Sequence, residues 1–528
     1  MEAASSYAPP FARTSAPRGR ISSGLQSASA WIATDPSRLV FCLALLISFC
    51  VVQIGWRNPL LDLHSFRQCQ TAISTYYTLQ EGFHLAYLTP VLGKPWSIPL
   101  EFPLFQWIVA AVVIVTNLPI DEAGRLVSVT FFYGTLLPAY KLLSIFLTKD
   151  RLLVLAIYLC SPVYLYWSRT FMIESTALFW SLCFLAAAGH GLIRNHYGLL
   201  ALASFCGVVA SAVKVTTFAV FLFAAGLLVL YLWTLRPSPW KKRTLFHYFC
   251  AAVLLFGIPV LTTQLWTEFA DAKKALTPMA EGLLSFRSTE WNFGTLAQRM
   301  SSLYWSKIYG HSLPYLIGGP ALLVLPLAAL LMQRTHRKAI LLSLLAFAAG
   351  PAIFFNLYQE HEYYWYANGI FLLFAIGLSV AALAANPVWR KPVYAIVVPV
   401  LFLVLFTAYF DKLYRWQTSR GGSFLGLAAE IQRVTPRDSI LLAYGFEWSS
   451  ALPYYSERRA FMDFRNRPLN DPEMKAAFQK LGDESITCLV VAGPRRGDGK
   501  FLQERIDRFQ LGQTPAVRHP LADVYVRQ

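Results

Sequence analysis

The chain has 528 residues, of which 56% are apolar, 15% aromatic and only 14% charged, and its formal net charge is +17. That much apolar chain excludes an ordinary soluble enzyme and implies a polytopic membrane protein with one polar appendage. The basic residues lie mostly in short loops between apolar runs, the pattern of cytoplasmic loops, so nucleic acid is excluded as the partner.

Residues 1–37 are rich in Ser, Ala, Pro and Arg without periodicity and read as a disordered cytoplasmic tail. The first apolar run, Leu39–Trp56, is too long for a signal-peptide core and stays as a transmembrane helix. Arg13, Arg18, Arg20 and Arg38 before it put the amino terminus in the cytoplasm and residue 57 onward outside.

The later basic loops (Lys149 and Arg151; Arg194; Arg236 to Arg243; Arg334 to Lys338; Arg390 and Lys391) should all be cytoplasmic. That parity lays the marginal run Pro103–Asn117 in the outer interface, since a crossing there would invert every later loop. The expected spans are 38–56, 125–147, 152–168, 174–193, 198–213, 216–234, 246–265, 313–332, 339–356, 365–385 and 393–410, about 11 transmembrane helices. A Lys at mid-bilayer would cost about 2.5–3.5 kcal/mol, so the apolar stretch around Lys214 is split there into a tight hairpin.

Outer loops are expected over 57–124 and 266–312, the second a lid, a binding surface or a plain connector. After residue 410 the chain turns polar, with strand-like runs at 439–445, 485–493 and 522–528 interleaved with helical patterns at 423–433, 472–481 and 501–510. This spacing predicts a small C-terminal α/β periplasmic domain over 411–528, behind a polytopic α-helical domain over 38–410. Its Tyr454-Tyr455 pair and the turn at Trp448 are expected to pack, with substrate contact as the other reading.

Six of the eight cysteines fall inside apolar runs, and no CxxC pair or zinc spacing occurs. No Walker A loop, GxGxxG after a strand, HExxH or GxSxG is present either, which removes NTP hydrolysis, dinucleotide binding, zinc proteolysis and serine hydrolysis.

The chemistry concentrates at Leu61–Gln70, LDLHSFRQCQ, where Asp62, His64 and Arg67 fall within six residues beside a membrane. Charges there are costly unless used, although Asp62 could simply N-cap the helix that follows. The same topology gathers Glu101, Arg169, Glu174, Lys214 and the run His361-Glu362-Tyr363-Tyr364 at the outer face. Such a set suits a lipid-phosphate reaction: Arg67, Arg169 and Lys214 to hold an anionic phosphate, Asp62 to take a proton from an incoming hydroxyl. Glu174 also suits the positive end of the helix it opens, and the Tyr pair suits an aromatic interface belt.

Several of these phrases resemble the GT-C superfamily: the acid after the first span with a basic residue one turn on, EFPLFQW (101–107), RLVSVTFFYGTLLPAY (125–140), SPVYLYWSRTFMIES (161–175) and HEYY (361–364). Within it they are similar to the family 39 group of protein O-mannosyltransferases and lipid A aminoarabinose transferases, over residues 38–410 and more loosely beyond. The resemblance implies that Asp62 is the catalytic base and that Glu174 and Glu101 match acids of the family's outer loops. His64, Arg67, Glu101, Arg169, Glu174, Lys214, His361, Tyr363 and Tyr364 are then the donor-phosphate or substrate-binding residues. The chain departs from the pattern at Phe102, where Lys is common, and at Leu63, where an Asp-Glu pair would continue.

The implied activity is an inverting transfer of a sugar from a polyprenyl-phosphate donor to an acceptor hydroxyl of a lipid, glycan or protein, at the outer face of a bacterial inner membrane. A divalent cation held by Asp62, Glu101 and Glu174 stays open. The competing class is a transporter or flippase of a lipid-linked or anionic substrate, which would string charges along a path through helix centres. A non-catalytic scaffold would leave the clustered charges without a purpose.

Overall fold

A computed structural model describes residues 35–332, 336–482 and 485–527. The expected tail lies, up to residue 34, outside the described residues. Among those described, seven helices are long and apolar enough to cross a membrane: α1 (Pro36–Gln53), α4 (Ile120–Leu143), α7 (Glu174–Arg194), α9 (Val215–Thr234), α10 (Lys242–Lys274), α14 (Glu362–Ala384) and α15 (Pro387–Lys412). An eighth span arises if α11 (Ser302–Ile317) and α12 (Pro320–Leu331) count as one. Between these lie α2 (Ser65–Glu81), α3 (Leu104–Thr116), α5 (Arg151–Cys160), α6 (Pro162–Trp167), α8 (Tyr197–Val213) and α13 (Arg337–Ile353).

Two expected spans are broken. The run 313–332 is not one straight helix: Gly318 (φ +78°) and Gly319 (φ +136°) leave the helical region and α12 turns by 85°. The run 152–168 parts at Ser161, whose extended backbone sets Pro162 at the first turn of α6, where its missing N–H costs nothing. Two other prolines are absorbed within helices. Pro259 in α10 and Pro399 in α15 each follow one widened turn, Val253–Gly257 and Val393–Val397, which relieves the clash between the ring and the carbonyl four residues back.

Burial orders the bundle. The apolar window of α14 is 94% buried and that of α7 72%, whereas α1, α10 and α15 stay below a third, so α14 and α7 form the centre and the others the lipid-facing rim. The helix break expected at Lys214 is present: Lys214 is extended (φ −159°, ψ 94°) and ends α8 as it starts α9. With 13 residues, α3 is about 20 Å long, too short to cross. The stretch 266–312, expected as a loop, is largely helical, because α10 runs on to Lys274 and α11 starts at Ser302.

After α15 come α16 (Gly422–Val434), β1 (Ile440–Tyr444), α17 (Ala451–Ser456), β2 (Arg459–Met462), α18 (Pro472–Leu481), β3 (Ile486–Ala492), α19 (Gly499–Phe509), β4 (Val517–Arg518) and β5 (Ala522–Val526). The sheet runs β2-β1-β3-β5-β4, with β1 parallel to β2 and β3, and β5 antiparallel to β3 and β4. β1 is buried at every residue, as expected of a parallel strand covered on both faces. Strands β2 and β4 are additions to the expected set.

This unit docks on the end of the bundle that follows α1. Leu92 bridges Phe461 of β2, and Lys94 donates to the Leu481 carbonyl at 3.1 Å. Tyr454 and Tyr455, expected to pack, do so through their hydroxyls: both donate to Asp121 (2.5 and 3.0 Å), and the Tyr455 oxygen accepts from Leu60 N–H at 2.6 Å. Trp448 sets its ring edge-on to Phe66 on α2, 4.8 Å between centroids.

Candidate active site

The segment Leu61–Gln70 leads into α2 through a turn with no side-chain cap. His64 holds a left-handed backbone (φ 53°), a strained choice for a non-glycine residue, and Leu63 N–H donates to Tyr166 Oη at 3.1 Å. Asp62 does not cap the helix with its carboxylate. Its Oδ1 accepts from Gln68 Nε2 instead, and Gln68 in turn accepts from Phe171 N–H at 3.1 Å, tying α2 to the α6–α7 turn.

Asp62 Oδ2 faces Arg169 Nη1 at 3.6 Å, with both side chains sealed from solvent (3% and 0% exposed). Arg169 also donates to the Gly55 carbonyl at 2.7 Å, and Arg125 beside it donates to the carbonyls of Trp56 and Asn58 (2.9 and 2.7 Å). The two guanidiniums thus bind the carbonyls of the turn that follows α1, fixing the lead-in to Asp62. Burial and the neighbouring Arg125 pull the Arg169 pKa down to about 10, which leaves it charged at neutral pH.

Arg67 points to the other side. It donates to Gln70 Oε1 and pairs with Glu101 Oε1. Burial works against its charge, but Glu101, with Glu174 and the Tyr363 and Tyr364 oxygens behind it, outweighs that and holds its pKa above the ordinary arginine value. Lys214, freed by the break between α8 and α9, pairs with Glu174 Oε1, while Glu174 Oε2 is buried without a partner. The Lys214 ammonium also lies 5.0 and 4.6 Å from the ring centres of Tyr363 and Tyr364.

The third part is the His361–Tyr364 run. His64 Nε2 meets Glu362 Oε2 at 2.9 Å, and the His64 ring abuts Trp167, His361 and Tyr363 at 4.9–5.5 Å between centroids. His361 stacks on Tyr363, its Nδ1 buried and unpartnered; burial, then neighbouring His64, push its pKa down to about 4. Of the residues expected at the site, His64, Arg67, Glu101, Glu174, Lys214, His361, Tyr363 and Tyr364 therefore form one connected set. Asp62 and Arg169 form a sealed layer behind it. Gln68 and Glu362 belong to the arrangement as well; Glu362 stood in the charged run already, whereas Gln68 was visible only as a polar neighbour of Arg67 on α2.

An apolar groove of about 410 Å³ is walled by Phe102, Val208, Val209, Ala212, Leu265 and Trp266 among others, two of them close in the chain to members of this set, Glu101 and Lys214. Phe102 N–H donates to the Ala212 carbonyl at 3.0 Å, and the Phe102 and Trp266 rings meet edge-on at 5.3 Å. The acids that the sequence offered to a divalent cation are split among the protein's own cations: Asp62 to Arg169, Glu101 to Arg67, Glu174 to Lys214. Among the described residues no group of three His, Cys, Asp or Glu side chains is arranged to hold a metal ion.

No protein-family model matches the sequence, and no curated protein matches it by sequence either. Solved structures do match in three dimensions. ArnT from Cupriavidus metallidurans bound to undecaprenyl phosphate superposes with a TM-score of 0.62 at 14% identity, over 94% of this chain and 98% of that one. The archaeal oligosaccharyltransferase AglB from Archaeoglobus fulgidus, in complex with an inhibitory peptide and a dolichol-phosphate, gives 0.52 at 12% identity, over 88% and 70%. The arabinofuranosyltransferase AftD from Mycobacteria gives 0.51 at 14% identity, over 93% of this chain and 40% of that one. At these identities the likeness is one of fold: the chain shares the architecture of ArnT, AglB and AftD.

Proposed function

We propose that the protein is an inverting glycosyltransferase that moves a sugar from a polyprenyl-phosphate donor to an acceptor hydroxyl on a lipid, glycan or protein, at the outer face of a bacterial inner membrane. The observation that carries this reading is that the cationic set and the apolar groove are built from the same two chain segments. Glu101, paired with Arg67, is followed directly by Phe102 of the groove wall, and Ala212 of that wall stands two residues before Lys214. A polyprenyl phosphate has the same layout, an apolar tail ending in an anion. The fold likeness to proteins whose structures hold undecaprenyl phosphate and dolichol-phosphate supports the same donor class.

As the bond from the sugar to phosphate breaks, the leaving phosphate gains negative charge, which Arg67 and Lys214 offset. The acceptor oxygen attacks the anomeric carbon from the opposite side and gives its proton to a base, so the configuration inverts. Asp62 is the base that the family resemblance implies. One observation favours a second base: Asp62 is sealed and engaged at both oxygens, whereas the His64–Glu362 pair is 20% and 33% exposed. An ionised Glu362 can only accept, so His64 Nε2 carries a proton, and in the neutral imidazole the lone pair that would take the acceptor's proton is on Nδ1.

The test is to incubate the purified full chain in detergent with radiolabelled polyprenyl-phosphate sugars and an acceptor extract. Release of free polyprenyl phosphate, lost in Arg67→Gln and Lys214→Gln, is expected. A donor that crosses the bilayer of proteoliposomes with its glycosyl bond intact would establish the transporter reading instead.

A further inference from the structure

At the far end of α1 from the candidate site, a polar cavity of about 360 Å³ opens between the start of α1, the turn before α5 and the start of α15. Asp35, Arg38, Lys149, Asp150, Arg151 and Arg390 line it, four cations against two carboxylates. One guanidinium absorbs both acids: Arg390 meets Asp150 Oδ2 and Asp35 Oδ1, each at 3.2 Å. Asp150, buried and left-handed (φ 59°), also accepts from Tyr394 Oη at 2.6 Å.

Lys149 and Arg151, which also line the cavity, form no ion pair with a carboxylate among the described residues. The Arg151 guanidinium lies over the Tyr140 ring at 4.3 Å and donates through Nη2 to the Thr148 carbonyl at 3.3 Å, which leaves its other N–H groups for a ligand. Lys149 is exposed and pairs with no carboxylate among the described residues. The chain before Asp35 adds Arg13, Arg18 and Arg20 but only one acid, Glu2, so its own sequence offers little to neutralise the cavity.

The location selects the ligand. Helix α1, 18 residues and about 27 Å long, separates this cavity from the stretch that leads to Asp62, which is close to the thickness of a hydrocarbon core. The cavity is therefore at headgroup depth in one leaflet when the candidate site is at the surface of the other. We propose that it binds the phosphate of an anionic phospholipid headgroup in the leaflet opposite the candidate active site, with Lys149 and Arg151 as the donors. The inference is independent of the reaction proposed above, because it rests on charge and depth alone.

Binding is to be measured on the full chain in detergent, by native mass spectrometry and thermal shift. The probes are dioctanoyl phosphatidylglycerol, dioctanoyl phosphatidylcholine and inorganic phosphate. Saturable binding of phosphatidylglycerol but not phosphatidylcholine is expected, weakened about fivefold in Lys149→Gln, at least tenfold in the Lys149→Gln/Arg151→Gln double variant and retained in Lys149→Arg. Equal binding of the two lipids, or a Lys149→Gln variant that binds phosphatidylglycerol as well as the parent, overturns the proposal. Inorganic phosphate that binds as tightly as phosphatidylglycerol overturns it as well, by assigning the cavity to a free ion. Lys149 is exposed in a turn, so its single variants keep the test readable if the double variant melts early.

Discussion

His64 and Glu362 stand 298 residues apart in the chain, yet imidazole Nε2 and carboxylate Oε2 meet at 2.9 Å. The contact joins the turn that starts α2 to the one that starts α14, and the strained backbone of His64 persists because Trp167, His361 and Tyr363 surround its ring. If the pair supplies the base, His64→Gln and Glu362→Gln each lower kcat by about 10²–10⁴-fold, and the double variant loses little more than the worse single one. Steady-state kinetics of the three variants beside Asp62→Asn decide the point: additive losses, or loss in Asp62→Asn alone, return the role to Asp62.

Arg67 and Glu101 make a pair open enough for a ligand to compete, at 16% and 23% exposure. Phosphate arriving at Arg67 takes over part of what Glu101 now satisfies. Arg67→Lys is therefore expected to weaken polyprenyl phosphate about tenfold, since one ammonium cannot match the guanidinium fork, whereas Glu101→Gln should leave affinity equal or slightly higher. Isothermal titration with a short-chain polyprenyl phosphate measures both; a strong loss of affinity in Glu101→Gln would show that Glu101 contributes to ligand binding.

His361 gives a pH signature. Its pKa is about 4 in the folded chain against about 6.5 unfolded, so between those values the unfolded state binds the extra proton. Stability from this group is complete above about pH 6.5 and declines as pH falls toward 4, by up to roughly 3 kcal/mol. Thermal melts from pH 4 to 7 should show that slope in the parent and a flatter one in His361→Leu. Parallel slopes would mean that burial of this ring does not set the acid limit.

Much of the architecture was legible because hydropathy and turn chemistry act locally. Lys214 in an apolar run forced a break at its own position, and the strand-like runs around Ile440, Ile486 and Ala522 became β1, β3 and β5. Elements that depend on partners were not. Arg459–Met462 and Val517–Arg518 are too short to carry an alternating pattern and exist through pairing with β1 and β5. The Gly318–Gly319 bend hides because the residues on both sides are equally apolar. At the site, the charged side chains could be placed at one surface, but not who meets whom: Arg169 reads as a phosphate ligand in sequence and turns instead to the Gly55 carbonyl and Asp62.

Glu174 and Lys214 separate a structural role from a chemical one most cleanly. The two are 3% and 5% exposed, so removing one charge strands the other: Glu174→Gln alone is expected to destabilise by about 3–5 kcal/mol. Adding Lys214→Met removes the stranded ammonium and should restore most of that loss, because a desolvated ion pair gains little over an apolar pair of similar volume. Activity should not follow. If Lys214 holds the leaving phosphate beside Tyr363 and Tyr364, the restored double variant folds like the parent yet transfers sugar at least 10²-fold more slowly. Melting temperature and initial rate on the same preparations read the two effects apart, and a double variant recovered in both would reduce the pair to a packing element of the bundle.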